Sequence, residues 1–148
     1  MNAALVVALM LAVVPLLTSA RTQPIDLSGG WALDAPQTEG QAADGSNWLM
    51  VALSGTLTLD QKADAVTGSW QGRLPEPWPL TGRLQGGTFE LQTEVREIPA
   101  SRNGEKQMLR RRWVFRGTVD GDKMTGSMHL AGEDGESPEQ PFTAVRKR

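Results

Sequence analysis

The sequence predicts an all-β chain, an antiparallel up-and-down meander of about eight strands closing into a small barrel. Three observations lead there. Apolar and polar residues alternate with a period of two along most of the chain, the spacing that turns one face of a strand inward. Sixteen glycines and nine prolines punctuate those runs where tight turns are needed. Helical periodicity is hard to find anywhere beyond residue 20.

The first twenty residues stand apart. Met1 to Ala20 carry no charged side chain, with an apolar run from Ala3 to Leu17 and small residues at Thr18, Ser19 and Ala20. This is the pattern of a secretory signal cleaved after Ala20. The run is short for a span of about 20 residues and is broken by Pro15, which argues against an anchor. The expected organisation is a signal at 1–20 and a single β-barrel domain at 21–148, working in the periplasm or outside the cell. No cysteine occurs, so neither lipid attachment at a processed cysteine nor disulfides are available. Stability must then come from packing. A formal charge of −2 with both signs interspersed argues against nucleic acid as a partner. No second apolar stretch is long enough to cross a bilayer after the signal.

Eight strands are expected, at approximately 28–34, 48–60, 66–72, 79–84, 88–96, 107–119, 123–131 and 140–147. The second is the plainest: Leu49, Val51, Leu53, Gly55, Leu57 and Leu59 share one parity, and Ser54, Thr56, Thr58 and Asp60 take the other. In the fifth, Phe89, Leu91, Thr93 and Val95 oppose Glu90, Gln92, Glu94 and Arg96. The sixth sets Leu109, Trp113 and Phe115 against Arg110, Arg112 and Arg116. The seventh sets Met124, Gly126, Met128 and Leu130 against Lys123, Thr125, Ser127 and His129. Short connections at Lys62–Ala65, Gln85–Gly87 and Asp120–Asp122 require antiparallel neighbours. The stretches 35–47, 97–106 and 132–139 read as solvated loops.

An internal echo supports the meander. Trp78, Gly82 and Gly86 recur at the same spacing as Trp113, Gly117 and Gly121. Each copy reads as a hairpin with a turn glycine and a second glycine inside a strand. Gly68, Gly82, Gly117 and Gly126 all sit within strands, where glycine marks the bends a small curved sheet needs.

In its opening Gly29-Gly30-Trp31, preceded by Asp26-Leu27-Ser28, the chain resembles the calycin superfamily of lipocalins and avidins. It also resembles a class of small exported bacterial domains of unknown function that open on Leu-Ser-Gly-x-Trp. The resemblance implies an eight-stranded up-and-down barrel, with Gly29 and Trp31 forming its opening motif and Arg146 stacking on Trp31 to help close one end. The lipocalin disulfides and a C-terminal helix are missing. There is no tyrosine, on which avidin-type biotin sites rely, so biotin binding is not expected.

A barrel of this size is either filled by its own side chains or holds one small ligand. The ligand-binding candidates are Trp70, Trp113, Phe115 and Phe89, which fall on the apolar face and would line a pocket. Arg111 joins them, because alternation turns it to the face of Trp113 and Phe115, where it would pair with a ligand carboxylate. The expected function is an exported, lipocalin-like, non-enzymatic barrel for a small apolar or amphipathic ligand. The alternative is a filled barrel acting as a protein-interaction module of the cell envelope, with Trp48 and Met50 pointing outward as an apolar patch. Glu90, Glu94 and Arg96 facing Arg110, Arg112 and Arg116 read as outer cross-strand ion pairs, worth at most about 1 kcal/mol each. The single histidine, His129, is expected outside and lacks neighbours at ligand spacing. No metal, cofactor or catalytic set is therefore expected.

Overall fold

The structure is a computed structural model describing residues 23–148; the signal expected at 1–20 lies outside the described residues. In chain order the strands are β1 (Gly29–Ala35), β2 (Thr38–Gln41), β3 (Asn47–Met50), β4 (Leu53–Lys62), β5 (Ala65–Gln71), β6 (Trp78–Gln85), β7 (Thr88–Thr93), β8 (Arg96–Arg102), β9 (Glu105–Asp120), β10 (Lys123–Gly132), β11 (Gly135–Glu136) and β12 (Gln140–Arg146). Among the described residues there is no helix.

Eight of these close into a barrel. The ring runs β1, β4, β5, β6, β7, β9, β10, β12 and back to β1, with antiparallel pairing throughout. This is the up-and-down barrel that the alternation and the calycin resemblance both imply. Its wall obeys parity: Leu57, Val66, Leu80, Leu91, Phe115, Met124 and Ala144 are buried, while Asp60, Arg83, Glu90 and Arg116 stay exposed.

The strand glycines have a packing reason that only the register reveals. Phe89 on β7 stands beside Gly117 on β9, Gly117 beside Gly126 on β10, and Gly126 beside Phe142 on β12. The two phenyl rings meet over this paired glycine step, with centroids 6.3 Å apart. At Gly126 a β-carbon would fall 2.9 Å from the Gly117 α-carbon and collide with the Arg116 carbonyl oxygen. The two strands coil more closely there than any side chain permits.

One end of the barrel carries the tight turns, and the N-terminal segment crosses it. Leu27 is fully buried, its amide donates to Gln61 Oε1 (2.8 Å), and its carbonyl accepts from Trp31 Nε1 (2.8 Å). The Arg146 guanidinium lies 4.3 Å from the centre of the Trp31 ring. Its nitrogens also donate to the carbonyls of Ser28 and Asp26 and to Asp122 Oδ1. Beside Gly29 these residues make a closed floor. The Asp26 carboxyl sits below its ordinary range, chiefly because it accepts hydrogen bonds from Ser28, with Arg146 adding a smaller attraction.

The turn at Ala63 carries backbone strain, because this residue has φ 54°. A left-handed conformation costs a residue with a β-carbon about 1–2 kcal/mol, and glycine gives back part of that gain as unfolded-chain entropy. Ala63→Gly is therefore expected to stabilise the barrel by about 0.5–1 kcal/mol, read as a higher urea midpoint at unchanged slope. A lower midpoint would show that the strain is relieved elsewhere in the turn.

Several expectations are corrected. The strand expected over 48–60 is two: it breaks at Val51–Ala52, so Leu49 and Val51 are exposed and only Leu57 and Leu59 of that face are fully buried. Trp48 and Met50 are correspondingly half-buried rather than an outward patch, and the Trp48 indole lies on Gly40 of β2. The strand expected over 88–96 stops at Thr93, leaving Val95 exposed. The three stretches read as loops contain β2, β8 and β11. Of the expected outer ion pairs, Glu90 and Arg116 are joined at 3.3 Å.

Candidate functional site

The end opposite the floor is hollow. The long connections gather there: the β2–β3 hairpin, residues 72–77, the β8–β9 hairpin and residues 133–139. β9 is sixteen residues long and changes partner along its length, pairing with β8 through residues 105–111 and with β7 through 114–118. The β8–β9 arm therefore stands beyond the rim of the wall.

Between that arm and the wall lies a cavity of about 230 Å³. Trp70, Trp78 and Trp113 line it, with Leu53, Leu74 and Ile98 between them. Trp70 on β5 and Trp78 on β6 are register partners, and Trp113 comes from β9. The position of the Trp70 indole is made possible by glycine. A β-carbon at Gly55 would fall 2.5 Å from this ring and one at Gly72 2.9 Å. Phe115 is fully buried beneath, edge-on to Trp70 at 5.6 Å and tilted against Trp113 at 6.4 Å. Leu91 and Met128, its register partners, flank Phe115, and Phe142 and Phe89 continue the buried core. Among the described residues the interior is filled by this cluster, and the cavity lies at the mouth.

The sequence candidates divide accordingly. Trp70 and Trp113 are brought together in the cavity wall, and Phe115 forms its base. Phe89 belongs to the packed body, against Phe142. Arg111 does not line the cavity. Its guanidinium makes a bidentate pair with the Asp134 carboxylate, Nε to Oδ1 at 3.2 Å and Nη2 to Oδ2. Alternation brings Arg111 to the inner side, but the β10–β11 turn supplies its carboxylate from within the chain. Gly29, Trp31 and Arg146 lie at the far end, in the floor.

Other members of the mouth were missed by sequence reasoning. Arg73, Leu74 and Glu76 come from residues 72–77, and Ile98 and Pro99 from the stretch read as a loop. A signal was present for the second group. Asn103 and Gly104 have φ 52° and 81°, and an Asn-Gly pair between alternating runs is a strong hairpin mark. Arg73 Nη2 donates to the Ala52 carbonyl (2.6 Å), tying this segment to the break before β4. Arg96 stacks over Trp78 at 5.5 Å and donates to the Pro77 carbonyl at 3.0 Å.

His129 is on the outer side, as parity suggested, but is buried rather than exposed. It leaves the barrel on the outer side, where residues 133–139 fold back over it. Ser137 and Leu130 bond each other twice there, through Ser137 N to Leu130 O and Leu130 N to Ser137 Oγ. Glu136 lies 3.8 Å from His129 Nε2 and Glu139 4.0 Å from Nδ1. Among the described residues no group of three or more His, Asp or Glu is placed to hold a metal ion.

Fold and site together define an eight-stranded up-and-down barrel, floored at one end and hollow at a tryptophan-lined mouth. No family model and no curated protein sequence matches the chain. Among solved structures it is similar to the crystal structure of the rhizavidin–biotin complex, at 18% identity and a TM-score of 0.43, over 83% of this chain and 96% of that one. The barrel assignment rests on the strand pairings, independently of that similarity.

Proposed function

We propose that the protein is a non-enzymatic binding barrel for a small apolar or amphipathic molecule, working in the periplasm or medium after removal of residues 1–20. The observation that carries the reading is the 230 Å³ mouth with its three indole walls. Pockets for drug-sized ligands run from about 300 Å³ upward, so the occupant is smaller than that. A long acyl chain cannot descend further, because Phe115 and Phe142 block the way with ring centroids 6.0 Å apart. Aromatic walls supply large apolar contact area at low entropy cost.

Native mass spectrometry of the mature protein from its own compartment tests the reading, with tryptophan fluorescence as companion. A co-purifying small molecule that shifts the indole emission is the expected result. Trp113 is only half-buried, so Trp113→Ala should keep the fold while weakening binding about tenfold, from the lost ring contact and apolar area. A bare mass, with no fluorescence response to a panel of small apolar compounds, would sink the pocket. It would turn attention to the outer surface as a protein-interaction face.

A further inference from the structure

The two charged residues in the cavity wall have opposite signs and are not paired with each other. Arg73 and Glu76 both line the mouth and both are exposed. Three positions apart in one connection, they are joined by no ion pair. Among the described residues the Arg73 guanidinium makes one hydrogen bond, to the Ala52 carbonyl, which leaves most of its five donors without a partner there. Glu76 has no hydrogen-bond or ionic partner among the described residues. Of the other guanidiniums of this end, Arg96 lies against Trp78 and the Pro77 carbonyl, Arg111 is held by Asp134, and Arg110 and Arg112 do not line the cavity.

We infer that the mouth takes a small zwitterion with an apolar group, of the size and kind of a free apolar amino acid. The inference rests on the pocket reading above and specifies its ligand. The apolar group lies among Trp70, Trp78 and Trp113, the carboxylate faces Arg73 and the ammonium faces Glu76. A simple acid would leave Glu76 beside a like charge, and a simple amine would do the same with Arg73. Such juxtapositions are how a site rejects wrong partners. Only a molecule bearing both charges close together satisfies both sides of the rim. A peptide terminus carries just one of them, which singles out the free amino acid.

Isothermal titration at neutral pH and low salt tests this with three near-isosteric probes: leucine, isocaproate, which lacks the ammonium, and isoamylamine, which lacks the carboxylate. Exposed charges contribute modestly, so leucine should bind about two- to fivefold tighter than either relative. Glu76→Gln should erase the advantage over isocaproate, and Arg73→Gln the advantage over isoamylamine. Both sites are exposed and lie in a connection, so neither substitution threatens the barrel strands, and Arg73→Gln additionally removes the tie to the Ala52 carbonyl. Equal or tighter binding of either relative to the unaltered protein would overturn the zwitterion while leaving the pocket standing. If none of the three binds, and an apolar dye does not bind either, the pocket fails and the inference with it.

Discussion

Trp31→Ala is expected to destabilise the barrel by about 3–5 kcal/mol, the usual range for truncating a fully buried large aromatic. Trp31 has no exposed surface, and its loss acts on three things at once. It opens a cavity under the N-terminal crossing, frees the Leu27 carbonyl, and removes the ring on which Arg146 is stacked. Trp31→Phe separates these effects, since it keeps a ring under the guanidinium but not the N–H. It should cost clearly less, with the missing hydrogen bond contributing about 1 kcal/mol of the remainder. Urea unfolding followed by the remaining tryptophans measures both. A cost below about 1 kcal/mol for Trp31→Ala would mean that the crossing over the floor is not part of the cooperative fold.

Gly126→Ala carries the second large effect, with the opposite physical cause. The substitution adds a single methyl group, yet that methyl would collide with the Arg116 carbonyl oxygen and the Gly117 α-carbon of the neighbouring strand. Overpacking ordinarily costs about 1–3 kcal/mol because side chains give way. Here the obstacle is backbone, so the cost should reach the top of that range or pass it. Trimming the neighbouring ring, as in Phe142→Leu, should not rescue the variant, since the collision is not with the ring. Rescue would show that the phenyl rings, rather than the strand approach, set the requirement for glycine. Thermal and urea unfolding of the single and double variants decide between the two.

The parts of the fold that were legible in the sequence are those governed by local rules. Alternation marked all eight barrel strands, because each has one face in the core and one in water. The short turns at Gly86–Gly87 and Gly121 marked antiparallel neighbours for the same kind of reason. Legibility fell where a rule was extended past its range. Parity was carried through Val51–Ala52 as though one strand continued. A break resets the side-chain phase, so Leu49 and Val51 came out exposed. For His129 the parity itself held, but an outward residue is wet only if nothing covers it, and residues 133–139 cover it. The β8–β9 arm carries a local signal in Asn103-Gly104, but the stretch 97–106 reads as a loop when its composition alone is followed.

The binding site was legible only in part, for a related reason. Trp70 and Trp113 could be assigned to the inner face, but whether an inward indole fills a core or walls a cavity depends on what stands opposite. That is settled by Gly55 and Gly72, which leave room for the Trp70 ring, and by Phe115, which meets it edge-on at the base of the hollow. Arg111 shows the same limit from the other side. Its inward parity was readable at once, yet its carboxylate partner, Asp134, lies 23 positions away in sequence.

By itself, then, the sequence determined the all-β class, the order of the barrel strands and the apolar side of each, because alternation and turn chemistry act within a few residues. Where the barrel is filled and where it is hollow, which charges meet one another, and which have no ionic partner at the mouth among the described residues, follow from the folded arrangement. Those outcomes depend on register between strands far apart in the chain, and register is a property of the closed barrel rather than of any segment.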